Sequence, residues 1–311
     1  MFEILVNLML TSMFLKTQIS QQVTASTLMH QEYNVSKSDA LEMFAVSPQR
    51  DITSSVIGVE LTAKSAIVID SDSDKVLYQS NATEVRSIAS LTKLMTALVF
   101  LDHNPGWDET IIITKDDYRV GAYNYLYAGE EVTIRDLFNT ALVSSANEGA
   151  VALARSTGMA SEEFVNRMNE KATVLGMVGA EFVEVTGLNT GNRASVTDVA
   201  RLLQAALKND NLAETLSNGS YTVSPLNNEP RRIYSTNWIL GQGFGTNNDT
   251  FRVEAGKTGH LEESGYSFVS RVKNSEGHRV LIAVLGSDTI DDRFNDTKSL
   301  AYWAFSNYVW Q

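Results

Sequence analysis

Arg86-Ser87-Ile88-Ala89-Ser90-Leu91-Thr92-Lys93-Leu94-Met95-Thr96-Ala97 is the stretch on which the reading of this chain turns. Leu94, Leu98 and Leu101 lie on one apolar stripe, which predicts a helix from Ser90 to Asp102. Ser90 and Lys93 then share a helix face, so a hydroxyl and an amine can meet. Ser90 falls in the first turn, where backbone N–H groups lack intrahelical partners and the dipole end is positive. Serine is a poor nucleophile without a base, and lysine serves as one only when neutral. Burial lowers a lysine pKa, and so does a second cation nearby, for which Lys257 is the candidate. Taken alone, Ser90 is an ordinary helix cap and Lys93 a surface lysine.

Two distant segments change that reading. Ser145-Ala146-Asn147 is a polar break between the apolar helical stretches Leu137 to Val143 and Ala150 to Ala154. Side chains on such a loop can point into a cleft. Ser145 can pass a proton to a leaving amine, and Asn147 can donate to and accept from a substrate amide. Lys257-Thr258-Gly259 continues the strand-like Phe251-Arg252-Val253-Glu254. Gly256 and Gly259 let a ligand backbone approach closely, and Lys257 and Thr258 offer a charge and a hydroxyl to a carboxylate. Each segment alone is an unremarkable turn or strand edge. Together, in this order, they supply a nucleophile, a base, a proton relay and a carboxylate-binding strand.

The flanking sequence predicts where these pieces sit. Ala66–Ile69 and Lys75–Gln79 flank the turn material Asp70–Asp74 and read as a hairpin. Tyr266–Lys273 and His278–Gly286 flank Asn274-Ser275-Glu276-Gly277 and read as a second. Asp291 to Tyr308 carries Phe294, Leu300, Trp303 and Ala304 at helical spacing. Between the hairpins the chain is helical. Thr133-Ile134-Arg135-Asp136 opens one helix with a capping-box pattern, Ser161 caps another that Gly176 ends, and Ser195 or Thr197 caps a further one. The predicted fold class is α+β: one antiparallel sheet built from both ends of the chain, with terminal helices and an inserted helical cluster at about residues 90–250. The cleft between sheet and cluster is the natural place for a site.

Composition narrows the function. The chain has 311 residues, a formal net charge of −12 and no cysteine. Such a surface repels phosphate backbones, which argues against a nucleic-acid partner. Disulfides, thiolate metal sites and cysteine nucleophiles are excluded. The four histidines, His30, His103, His260 and His278, have no paired-ligand spacing, which argues against a zinc peptidase. Ile4 to Leu15 is mostly apolar but lacks a positive leader and is shorter than the ~20 residues that span a bilayer. Residues 1–53 are therefore expected to be an incompletely captured export signal or membrane anchor followed by a polar tether, and 54–311 the catalytic domain.

With its motifs in this order, the chain resembles the serine D-alanyl-D-alanine carboxypeptidases, the low-molecular-mass penicillin-binding proteins with a β-lactamase-like fold. The whole 86–97 stretch carries the likeness, as do Thr186-Gly187-Leu188, Asn192, Ser195, Thr197-Asp198-Val199-Ala200, Ser235-Thr236-Asn237-Trp238 with Leu240, and Gly256 to His260. The resemblance implies that Ser90 attacks the carbonyl between two D-alanines and forms an acyl-enzyme, with Lys93 as base. Ser145 would protonate the leaving D-alanine, Asn147 would hold the acyl side, and Lys257, Thr258 and Gly259 would form the carboxylate-binding strand. The N–H groups of Ser90 and His260 would form the oxyanion hole. Peptidoglycan stem peptides would be the substrates and β-lactams the inhibitors, outside the cytoplasm, with no metal and no cofactor. Glu184-Val185-Thr186 departs from the family's Asp-Pro-Thr, and Glu262-Glu263 adds acid after the Lys-Thr-Gly strand. Cross-link endopeptidase, class A-like β-lactamase through Glu184, and penicillin sensor are the alternatives.

Overall fold

Val280, Ile282 and Val284 pack with one buried cluster, and Leu281, Ala283 and Leu285 with another. This alternation is the period of a strand whose two faces are both covered. The computed structural model describes residues 47–56, 58–120, 123–245 and 251–310. Within them, six strands form the main sheet: β1 Ser65–Asp70, β2 Val76–Ser80, β3 Gly243–Phe244, β4 Phe251–Leu261, β5 Gly265–Lys273 and β6 Arg279–Ser287. Their order is β3-β4-β5-β6-β1-β2. Every neighbouring pair is antiparallel, and β6 meets β1 with Leu281 opposite Ile69 and Ala283 opposite Ile67. The sheet is thus closed across its middle by the two ends of the chain.

Seven α-helices are present among the described residues: α1 Thr92–Asp102, α2 Ile134–Val143, α3 Asn147–Ser156, α4 Ser161–Val174, α5 Val196–Leu207, α6 Asp210–Leu216 and α7 Asp292–Asn307. Helix α7 covers one sheet face: its Phe294, Leu300, Ala301, Trp303 and Ala304 cluster with Ala66, Val68 and Phe268. The other helices cover the opposite face and join Ile67, Ala255, Val269 and Leu281 in the second core. Helix α1 is buried along nearly its whole length, from Thr92 to Phe100.

The fold class read from the sequence holds, and the details shift in four places. Residues 47–53, expected to belong to a tether, are part of the body: Gln49–Arg50 pairs with Tyr308–Val309, and Asp51 N–H donates to Asn307 O at 2.8 Å. Thr133 caps α2, but Asp136 does not return the bond as a capping box would. Its carboxylate accepts instead from Tyr221 Oη at 2.7 Å and Ser224 N at 3.1 Å. Ser161 is the first residue of α4 rather than its cap, which is Ala160 with no side-chain bond. Ser195, not Thr197, caps α5, and with Asp198 it forms a full capping box. The export or anchor expectation for the N-terminal segment lies outside the described residues. Among those described, no helix is long and apolar enough to cross a membrane.

Candidate active site

Ser90 is presented by a 3-10 turn, Ala89–Leu91, that leads into α1. Ala89 sits at φ +47°, a region costly for a residue with a Cβ. Two glycines hold this turn down. A Cβ on Gly187 would lie 1.9 Å from Ala89 O, and one on Gly259 would lie 2.8 Å from Ile88 O. Thr186-Gly187 therefore presses on the turn from one side and β4 from the other, at distances only glycine allows. The segment is also pinned from below: Arg86–Ser87 pairs with Arg193–Ala194, and Ile88 N–H donates to Asn192 O at 3.0 Å.

Lys93 follows one turn later and is 1% exposed. Its Nζ lies 2.7 Å from Asn147 Oδ1, 2.7 Å from Thr186 O and 2.9 Å from Ser90 Oγ. The first two partners are carbonyl oxygens, which only accept. A neutral amine can give its two N–H groups to them and turn its lone pair to the Ser90 hydroxyl. Burial pushes the amine from its ordinary 10.5 down to about 7, against the opposing pull of the Glu184 and Glu148 carboxylates. The neutral form is thus accessible near pH 7.

Helix α2 ends at Val143 and α3 begins at Asn147, so Ser145 and Asn147 flank the junction at which the chain turns back into the cleft. Ser145 adopts φ +62°, a second strained backbone position in this site. Its hydroxyl accepts from Lys257 Nζ at 2.7 Å. Lys257 is 1% exposed and also donates to Thr258 O at 3.1 Å. Burial, then Lys93, then Arg293 hold its amine well below its ordinary value. Asn147 uses Oδ1 on Lys93, so only its NH2 group remains for a ligand amide, where the sequence suggested that it could also accept. Glu148 next to it is fully buried and accepts from Tyr125 N at 2.6 Å and Leu126 N at 3.0 Å, which ties an exposed aromatic loop to this corner.

Between these groups lies a cleft of about 250 Å³ whose lining includes Ser90, Ser145, Thr258, Gly259 and His260. The chain thus brings together Ser90, Lys93 and Asn147 in one bonded cluster and Ser145, Lys257 and Thr258 in a second, which meet at the cleft. The His260 side chain is exposed and stacks on Tyr266, with ring centroids 3.9 Å apart. Glu262 and Glu263, which raised doubt about an anionic ligand, do not line the cleft. The Glu184 carboxylate accepts from Thr186 N, Thr186 Oγ1, Gly187 N and Asn192 Nδ2 at 2.5–2.8 Å, and so is committed to shaping its own loop. A larger cavity of about 800 Å³ lies against the Glu184–Asn189 segment, and its lining includes none of Ser90, Lys93, Ser145, Asn147 and Lys257.

Thr236 and Arg293 are among the cleft side chains that were not singled out from sequence. Thr236 Oγ1 accepts from Thr258 Oγ1 at 2.7 Å, which orients that hydroxyl. Arg293, on α7, is 4% exposed and lines the cleft. It reaches Gly259 O only at 3.4 Å, its Nε has no hydrogen-bond partner among the described residues, and its guanidinium lies over the Tyr266 and Phe294 rings. Burial lowers its pKa to about 10, although Tyr266 and Asp291 oppose that. A cation at that depth, with few hydrogen bonds of its own, can meet an anionic ligand. Thr236 sat inside a quoted motif and could have been found. Arg293 lies alone in the tail, with no local pattern to mark it.

Comparison with known proteins gives a consistent outcome. The profile of the peptidase S11 family, described as D-alanyl-D-alanine carboxypeptidase, matches residues 49–289. A Pseudomonas aeruginosa protein named D-alanyl-D-alanine endopeptidase is 34% identical over 80% of this chain and 79% of its own. A point mutant of the Streptomyces K15 DD-transpeptidase superposes with a TM-score of 0.70 at 26% identity, covering 80% of this chain and 100% of that one. Penicillin-binding protein D2 of Listeria monocytogenes in its ampicillin-bound form gives 0.67 at 27% identity, over 80% and 99%.

Proposed function

Because the chain belongs to the S11 family of serine D-alanyl-D-alanine carboxypeptidases, we propose that it cleaves the D-Ala-D-Ala bond of peptidoglycan stem peptides through an acyl-enzyme on Ser90. The observation that carries this reading is the buried Lys93 amine, held 2.9 Å from the Ser90 hydroxyl with its other bonds fixed on carbonyl oxygens. In this reading Lys93 takes the Ser90 proton as Oγ attacks the scissile carbonyl. The N–H groups of Ser90 and His260 bind the developing oxyanion. The C–N bond then breaks, and Ser145 gives its proton to the departing amine and regains one from the Lys257 side. Asn147 donates to the acyl-side amide. Thr258, oriented by Thr236, holds the terminal carboxylate together with Lys257 and Arg293, and Gly259 keeps the strand close. An arriving carboxylate favours the charged form of Lys257, so the cationic corner is completed by substrate. Water then attacks the acyl carbon, its hydroxyl going to the acyl group and its hydrogen to Ser90 Oγ, and the proton that Lys93 gained replaces the one that the Lys257 side gave up.

A second reading, cross-link endopeptidase, is favoured by the name of the P. aeruginosa relative. Both reactions break the bond after a D-alanine and differ in what leaves. β-Lactams are the proposed inhibitors, since they offer the same nucleophile a strained amide. The work of such an enzyme lies outside the cytoplasm, and the apolar Ile4–Leu15 segment is the proposed export signal or anchor. Incubation with a pentapeptide stem and with cross-linked peptidoglycan, read by mass spectrometry, tests the proposal. Release of free D-alanine or of separated stems is expected. Recovery of both substrates intact would leave only a penicillin sensor.

A further inference from the structure

The leaving side of the cleft has more lining than a departing D-alanine needs. D-Alanine offers a carboxylate and one methyl group. Arg293 and Thr258 suit the carboxylate, yet the same cleft is also walled by Trp238 and Ile290. Trp238 is 53% exposed, but it is not loosely held. Its ring lies 6.0 Å from Phe294, which packs edge-on against Phe268 at 5.2 Å, and both phenylalanines are nearly fully buried. Its carbonyl accepts from Gln242 Nε2 at 2.6 Å. A large apolar face braced against a buried ring and open to water beside the Ser90 cleft suits a binding surface better than a core.

Resting on the DD-peptidase reading, we infer that Trp238 and Ile290 form a subsite for an aliphatic arm on the leaving group, and thereby favour cross-linked stems over free D-alanine tails. The substrate class this fits is a cross-link in which the leaving amine belongs to a diamino diacid. Its carboxylate, on the carbon that bears that amine, meets Thr258 and Arg293, and its methylene arm lies along the indole and Ile290. An arm of this kind exists only when a second stem leaves.

The test compares kcat/KM of the full chain on two substrates, a D-alanine-terminated pentapeptide and a diamino-diacid cross-linked dimer, for the wild type, Trp238→Ala and Ile290→Ser. One or two methylene groups in an apolar pocket change discrimination by about tenfold or more. The dimer-to-pentapeptide ratio of kcat/KM is therefore expected to fall about tenfold in Trp238→Ala, mainly through KM on the dimer, and in the same direction in Ile290→Ser. Labelled-penicillin titration counts the competent sites in each preparation. A ratio that stays constant while both activities fall together overturns the inference and leaves the DD-peptidase reading standing. A wild type that cleaves neither peptide overturns both.

Discussion

Lys93 is where one residue decides the chemistry. In the proposed mechanism its amine is the base, which it can be only without its extra proton, and burial brings that state within reach by moving its pKa to about 7. The acylation rate by a β-lactam is expected to rise with pH through about 7 and to level off above it. Lys93→Ala is expected to keep the fold, lose most acylation and lose that pH limb; near-normal acylation in this variant would show that another group is the base. The same shift costs stability. Between about 7 and 10.5 the unfolded chain binds a proton that the native one does not, so stability contributed by this site rises with pH across that window. Below it the buried ammonium costs ~5 kcal/mol. The pairing of Ser90 with Lys93 was legible in sequence because a three-residue spacing on a helix is a geometric statement in itself. Arg293 was not, because its nearness to Lys257 is created by α7 crossing the sheet.

At the scale of elements, the site is made by backbones that touch. The turn that carries Ser90, the Thr186-Gly187 loop and β4 meet where no Cβ fits, and Ala89 in that turn takes the left-handed backbone. Gly187→Ala is expected to destabilise the chain by roughly 3 kcal/mol, since the clash is with backbone that cannot move without displacing Ser90. It is also expected to slow acylation more than its thermal shift explains. Unfolding curves and penicillin labelling on the same sample check this, and a variant with wild-type stability and labelling would refute the close-packing account. The Lys-Thr-Gly and Thr-Gly-Leu glycines could be located from sequence, but their contact with each other's neighbourhood could not. Cap chemistry was partly legible: Ser195 with Asp198 follows the local rule, while Asp136 is drawn off by Tyr221, a tertiary partner that no local pattern contains.

Across the described residues, the antiparallel main sheet joins its own first and last strands, β1 and β6, and leaves the helical insert over one face. Apolar runs on either side of the turns Asp70–Asp74 and Asn274–Gly277 made that plan readable. The short pairs Thr110–Ile112 with Glu131–Thr133 and Ser220–Val223 with Arg231–Tyr234 were not read, because strands so brief carry no period. The architecture brings Ser90 from the insert and Thr258 from the sheet to one cleft, with the buried Lys257 beside it bonded to Ser145. The central claim is that this cleft acylates Ser90. Intact and peptide-level mass spectrometry after exposure to a labelled penicillin tests it most directly. One covalent adduct on the Ser90 peptide in the wild type, absent from Ser90→Ala, is the expected result. Unchanged labelling of Ser90→Ala would contradict the account.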